Sequence, residues 1–225
     1  MTAAADHQER ELLLQQARDL RAGQRVREAL TVLERLQQMH PRFSRLYQER
    51  GRCHVLLRDA AQAVDALQQA VRLNPALPAS WGMLEHLHRM RGDAVQAATA
   101  AERLAVLKQL PDEIVAANSL YADGDLAPAE DIVRGHLRRQ GDDAGALRLL
   151  ARIRQAQGAL DDAAVLLEAL LQRAPDYHAA RLDYAMVLLT QQKPLQARDE
   201  AERLLRHDPD DRDHLKLFAA ACVAL

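Results

Sequence analysis

Residues 44–77 read SRLYQERGRCHVLLRDAAQAVDALQQAVRLNPAL, and this stretch decides the fold. Gly51 and Ala63 stand at its eighth and twentieth positions, and Pro75 stands near its end. The alanine of the twentieth position recurs along the chain at a nearly constant step, as Ala29, Ala63, Ala97, Ala129, Ala163 and Ala197. A fixed period of this size predicts a repeat protein.

The composition and the helix-ending glycines predict two helices in each repeat. Alanine, leucine and arginine, which are among the best helix formers, dominate the chain, and aromatic residues make up only 3%. Gly92, Gly124 and Gly158 recur at the fifteenth position, where a left-handed residue would end the first helix. An aspartate follows each glycine within three residues and is expected to cap the second helix.

The repeats resemble the tetratricopeptide repeat, a helical hairpin of about 34 residues, over essentially the whole chain. The residues that carry the resemblance are the small ones at positions eight and twenty and the late proline. The resemblance implies an all-α, right-handed superhelical solenoid of antiparallel helix pairs, with about 13 helices. One solenoid over residues 1–225 is expected, with six repeats and an incomplete seventh, at 10–43, 44–77, 78–109, 110–143, 144–177, 178–211 and 212–225. Because the third repeat is shorter than the others, we expect irregular packing near residues 108–114.

The charge balance and the cysteines exclude several classes of protein. The net charge of −2 favours neither nucleic acid nor a membrane surface as a partner. No apolar run is long enough to cross a bilayer, and the first residues have no basic and apolar segments of a signal peptide. The spacing of Cys53 and Cys222 matches neither a disulfide framework nor a metal-binding motif, and both cysteines are interpreted as reduced. A cytoplasmic protein is therefore expected.

The sequence predicts no catalytic residue, no metal site and no cofactor. It has no glycine-rich phosphate loop, and His86 and His88 are two positions apart, so they point to different faces of one helix. Three pairs of aspartates fall at predicted helix starts, where they would cap helices and complement the helix dipole: Asp142–Asp143, Asp161–Asp162 and Asp210–Asp211.

In tetratricopeptide arrays the first helix of each repeat lines the inner face, mainly at positions 2, 5, 9 and 12. Mapped onto this sequence, these positions include no aspartate in the first six repeats, and Glu11 is their one glutamate. Two interpretations stay open: chance placement of an abundant arginine, or a groove for a protein or peptide that is acidic or extended. The predicted groove residues are Arg18, Arg21, Arg45, Gln48, Arg52, His86, Arg89, Asn118, Tyr121, Arg148, Arg152 and Gln155.

Residues 105–225 also resemble the N-terminal repeat region of bacterial tetratricopeptide-repeat sulfotransferases. The residues that carry this resemblance include the runs LPDEI at 110–114, AEDIVR at 129–134 and APDY at 174–177. The resemblance implies that the chain is the docking region of an enzyme whose catalytic domain lies outside these residues. Two hypotheses follow: an interaction scaffold, or the repeat region of a sulfotransferase. Whether the parent protein is an enzyme is left open.

The last helix predicted from the sequence, residues 212–225, has no second helix to pair with. Such a helix exposes an apolar stripe, and exposed stripes of this kind mark association sites. A homodimer through this helix is therefore a further expectation. The stripe consists of Leu215, Phe218, Ala219, Cys222 and Val223.

Overall fold

The structure, a computed structural model, describes residues 3–225, with side chains from His7 onward. Its described residues form thirteen helices and no strand, which confirms the predicted all-α array. The helices are α1 (Ala3–Ala22), α2 (Val26–Met39), α3 (Ser44–Leu56), α4 (Ala60–Leu73), α5 (Pro78–Arg91), α6 (Ala94–Lys108), α7 (Asp112–Ala122), α8 (Leu126–Gln140), α9 (Ala144–Ala156), α10 (Leu160–Arg173), α11 (His178–Thr190), α12 (Pro194–His207) and α13 (Arg212–Val223).

The chain divides into two compact units, with the division between Gly124 and Asp125. The first unit holds α1–α7, and its helices pair as α1 with α2, α3 with α4 and α5 with α6. The second unit holds α8–α13, with the pairs α9 with α10 and α11 with α12, and α13 packs on α12. The predicted fourth repeat, residues 110–143, thus contributes one helix to each unit.

The periodic alanines lie in the cores of the two units. Ala29, Ala63, Ala129, Ala163 and Ala197 are completely buried, and Ala97 is buried as well. Each stands on the second helix of its repeat, where a small side chain lets two helix backbones approach closely. Large aliphatic side chains fill the remaining core space, among them Leu14, Leu33 and Leu46 in the first unit and Ile153, Leu167 and Leu204 in the second.

The turn inside each repeat uses one left-handed residue, and the structure extends this rule beyond the glycines. Gly92, Gly124 and Gly158 have φ angles of 78°, 83° and 82°, as the sequence predicted. Gln24, Arg58 and Gln192 occupy the same fifteenth position in the other three repeats, with φ angles of 60°, 58° and 59°. The hairpin turn therefore imposes the left-handed conformation even where the residue has a side chain.

The predicted capping by aspartate is confirmed at two helices and wrong at three others. Asp143 and Asp211 accept hydrogen bonds from the first turns of α9 and α13. The N-cap residue of α10 is Ala159, and Asp161 and Asp162 lie in the first turn of that helix without capping it.

Asp93 and Asp125 stand at the N-cap positions of α6 and α8, but neither side chain accepts a bond from its helix. The Asp93 carboxylate instead lies 3.3 Å from Nδ1 of His88 and 3.6 Å from Nε of Arg91.

Candidate partner-binding surface

Three predicted groove arginines converge on one carboxylate in the first unit. Nε of Arg18 lies 3.8 Å from Glu49, Nη1 of Arg52 lies 3.3 Å from it, and Nε of Arg21 donates a hydrogen bond to it. The Glu49 side chain is 1% exposed, whereas those of Arg18, Arg21 and Arg52 are 35%, 27% and 30% exposed. We call these four residues the Glu49 cluster.

The helix positions explain how the Glu49 cluster forms. Arg18 and Arg21 lie on α1, one turn apart and on one face, and Glu49 and Arg52 are likewise one turn apart on α3. Because α1 and α3 pack side by side, the two faces meet. Three guanidinium groups around one carboxylate leave an excess of two positive charges on a partly exposed surface, which favours the binding of another anion.

Arg45 is paired within the first unit on two sides. Its Nη2 donates to Glu11 at 2.8 Å, and its Nε donates to Asp123 at 2.9 Å. Its guanidinium also stacks over the Phe43 ring, 4.7 Å from the centroid. The predicted groove position is therefore occupied by an arginine that already binds two carboxylates of the same unit.

The other predicted groove residues of the first unit have diverse environments. Gln48 is buried and donates to Oγ of Ser80 at 2.8 Å. Asn118 donates to the Ile114 carbonyl of its own helix, so its amide is engaged locally. Two of the remaining residues, Arg89 and His86, are exposed, and Arg89 pairs with Glu85 one turn earlier. Tyr121 is partly buried.

In the second unit, Arg148 is the best-defined of the predicted groove residues. Its Nε donates to Asp183 at 2.6 Å, and its guanidinium lies 5.9 Å from the centre of the Tyr177 ring. Burial alone would lower the pKa of the Arg148 guanidinium, but the hydrogen bonds and charges of Asp183 and Tyr177 together outweigh burial and raise that pKa. Arg152 and Gln155, on the same helix, are partly buried.

Sequence reasoning missed the acids that pair with the predicted groove arginines. Glu49 and Asp183 both stand at the sixth position of their repeats, next to position 5 and outside the four positions that mainly line the inner face of tetratricopeptide arrays. Their recurrence at one position was the available signal. Asp123 gave no such signal, because it lies 78 residues from its partner Arg45.

Two family models match the chain, and both are described as tetratricopeptide repeats. One matches residues 14–78, in the first unit, and the other matches residues 154–222, in the second. Together they account for more than half of the chain. Both units of the chain therefore contain tetratricopeptide repeats, at residues 14–78 and 154–222.

Solved structures align with most of this chain at low sequence identity. The chain is 17% identical to the P58(IPK) TPR domain, with a TM-score of 0.47. The match covers 96% of this chain but only 66% of the P58(IPK) chain, which is just under two thirds of the length of that chain. It is 12% identical to a tetratricopeptide repeat protein from Parabacteroides merdae, with a TM-score of 0.49, covering 95% of this chain and 84% of that one. Pseudomonas aeruginosa pilF is 11% identical, with a TM-score of 0.44 and coverage of 96% and 99%.

No curated protein sequence matches this one. None of the helices in residues 3–225 combines the length and the apolar character that crossing a membrane requires.

Proposed function

We propose that the chain is a protein-interaction scaffold whose first unit binds an acidic, extended segment of a partner protein. Arrays of this kind present broad surfaces made of successive repeats, and such surfaces suit extended ligands. The observation that carries the proposal is the Glu49 cluster, where three arginines meet one buried glutamate.

The cluster is suited to a carboxylate for two physical reasons. Arginine presents a planar set of N–H donors that matches a carboxylate. The guanidinium N–H groups that remain partly exposed beside Glu49 can therefore donate hydrogen bonds to a second anion. Glu49 also holds the three side chains in place before the ligand arrives, which reduces the ordering that binding requires. A single exposed ion pair contributes only about 0–1 kcal/mol, so the partner needs several acids to bind well.

The test is a fluorescence-anisotropy titration with three labelled peptides of equal length, rich in glutamate, glutamine or lysine, at low and high salt. We expect the acidic peptide to bind best and its affinity to fall with salt. The double variant Arg18→Gln/Arg52→Gln should weaken that binding about tenfold, which corresponds to about 1.4 kcal/mol.

The matched control is Arg103→Gln, which removes an exposed arginine from α6, away from α1 and α3. It should leave acidic-peptide binding unchanged. Equal binding of the acidic and basic peptides, or equal losses in the control and the double variant, would overturn the proposal.

The sulfotransferase alternative rests on the resemblance of residues 105–225 alone and stays a prediction. Self-association through α13 is also a prediction. Leu215, Ala219, Cys222 and Val223 are exposed on α13, while Phe218 is partly buried in the core of the second unit. Sedimentation of the chain and of Leu215→Asp tests it: a dimer that this change dissociates supports self-association, and a monomer in both cases refutes it.

A further inference from the structure

An open cavity of about 710 Å³ lies in the first unit, between the turn that joins α1 to α2 and the end of α3. Its lining combines charged and apolar side chains. The charged ones include Arg21, Arg25 and Arg27, and the apolar ones include Leu56 and Leu57. We call this space the Leu56 cavity.

The hairpin turn does not require the two leucines of the Leu56 cavity. Leu56 and Leu57 are 53% and 43% exposed, so they contribute little to the core. They stand at positions 13 and 14 of the second repeat. The other five complete repeats have alanine, methionine or threonine at position 13 and glycine or a polar residue at position 14. Adjacent large apolar side chains that line a cavity without being needed for the fold favour contact with a partner.

The Leu56 cavity is continuous with the Glu49 cluster. Arg21 lines the cavity and also donates a hydrogen bond to Glu49. Arg52 of the cluster and Leu56 are one turn apart on α3, so their side chains share one face of that helix. An extended segment whose acid binds the Glu49 cluster therefore has a neighbouring residue beside the cavity.

The charges of the Leu56 cavity complement an acidic segment. Glu28 is the one acid among the described residues that line it, and Glu28 already pairs with Arg25. Arg27 is exposed, and no ion pair of its side chain is found in the described part of the chain. The first turn of α2 lines the cavity as well, and its N-cap residue makes no side-chain cap, so this helix end adds partial positive charge.

We propose that the Leu56 cavity binds a large apolar side chain, phenylalanine or leucine, that lies next to the acid bound by the Glu49 cluster. This inference rests on the proposed function and narrows its ligand to an acidic segment with a bulky apolar residue. The apolar side chain packs on Leu56 and Leu57, and a further acid of the segment pairs with Arg27. Because the apolar contact removes surface from water, salt does not screen its contribution as it screens the ion pairs.

The test is a fluorescence-anisotropy titration of the full chain with two labelled, glutamate-rich peptides of equal length and charge. One peptide has a central phenylalanine, and the other has serine at that place. We expect the phenylalanine peptide to bind about tenfold more tightly, with a ratio that persists at high salt. Leu56→Ser should abolish the ratio. Ala22→Trp, which fills the cavity from an exposed position and keeps both leucines, should abolish it too.

Leu195→Ser is the matched control, because Leu195 is a leucine of α12, in the second unit, that is 58% exposed. It should leave the ratio of the two affinities unchanged. A ratio that survives in Leu56→Ser would overturn the inference. A lysine-rich phenylalanine peptide that binds as tightly as the glutamate-rich one would also overturn it, because the apolar contact would then be independent of the acids.

The variant Arg18→Gln/Arg52→Gln separates this inference from the proposed function. It should weaken both glutamate-rich peptides by a similar factor and preserve their ratio. Insensitivity of both peptides to this variant would overturn the proposed function and the inference with it. Equal affinities of the two peptides that still fall in this variant would overturn the inference alone.

Discussion

Leu67 of α4 lies directly over the α-carbon of Gly51 in α3. A Cβ atom built on Gly51 would stand 2.6 Å from Cγ of Leu67 and 2.8 Å from its Cδ2, both closer than real Cβ contacts. The other repeats carry alanine or glutamate at this eighth position, so the glycine belongs to this crossing in particular. It lets α3 and α4 approach around a completely buried leucine.

Gly51→Ala should therefore destabilise the chain even though alanine is the better helix former. We expect the free energy of unfolding to fall by about 1–3 kcal/mol, the usual effect of overpacking. Gly82→Ala is the matched control, because its Cβ would lie 3.7 Å from Cδ2 of Leu104, an ordinary contact. That change should stabilise by up to about 1 kcal/mol. Urea unfolding measures both, and effects of the same sign would contradict the packing argument.

The left-handed turn positions predict two opposite effects of substitution. Arg58→Gly and Gln192→Gly should each raise the free energy of unfolding by up to about 1 kcal/mol, because glycine adopts φ angles in this region without strain. Gly158→Ala should lower the free energy of unfolding by about 1–2 kcal/mol. No atom lies within 4 Å of a Cβ built on Gly158, so the cost comes from the φ of 82° alone. Thermal unfolding tests the series, and a stabilising Gly158→Ala would refute it.

The two cysteines should differ sharply in reactivity. Cys53 is completely buried, and burial, together with the charge of Glu49, raises the pKa of its thiol to about 11. Cys222 is exposed on α13. Because the thiolate is the reactive form, one thiol should react with a disulfide reagent in the native chain at neutral pH and two after denaturation. Rapid reaction of both thiols in the native state, or retention of native reactivity in Cys222→Ser, would contradict this.

Asp143 should make the stability of α9 depend on pH. Burial raises the pKa of the Asp143 carboxyl, but hydrogen bonds from the backbone N–H groups of Ala146 and Gly145, together with the hydrogen bond and charge of His136, outweigh burial and lower the pKa overall. A lowered carboxyl pKa stabilises the fold above the unfolded pKa of about 3.9, and that stability is lost as pH falls through the folded value.

Asp143→Ala should thus lower the free energy of unfolding by about 1 kcal/mol at neutral pH, with the difference shrinking in acid. Asp143→Asn, which retains the capping oxygen but not the charge, is the control and should lose less at neutral pH. Unfolding curves at several pH values measure both. A pH-independent difference between wild type and Asp143→Ala would mean that the carboxylate charge plays no part.

The sequence by itself determined the features that depend on neighbours along the chain. The small residues of the helix crossings and the glycine turns act within one hairpin, and their recurrence along the chain gives the repeat period. The same local logic placed Asp143 and Asp211 at helix starts, where the structure confirms that they cap.

Only the tertiary structure decided which charges meet. Glu49 gathers arginines from two helices, and Asp123 binds Ser44 across 79 residues of sequence. Side chains that far apart are brought together by the packing of helices, and packing depends on buried area and on shape rather than on any local pattern. The period places α7 in the fourth repeat, but the hydrogen bonds of Asp123 and Ser119 place its end on α3.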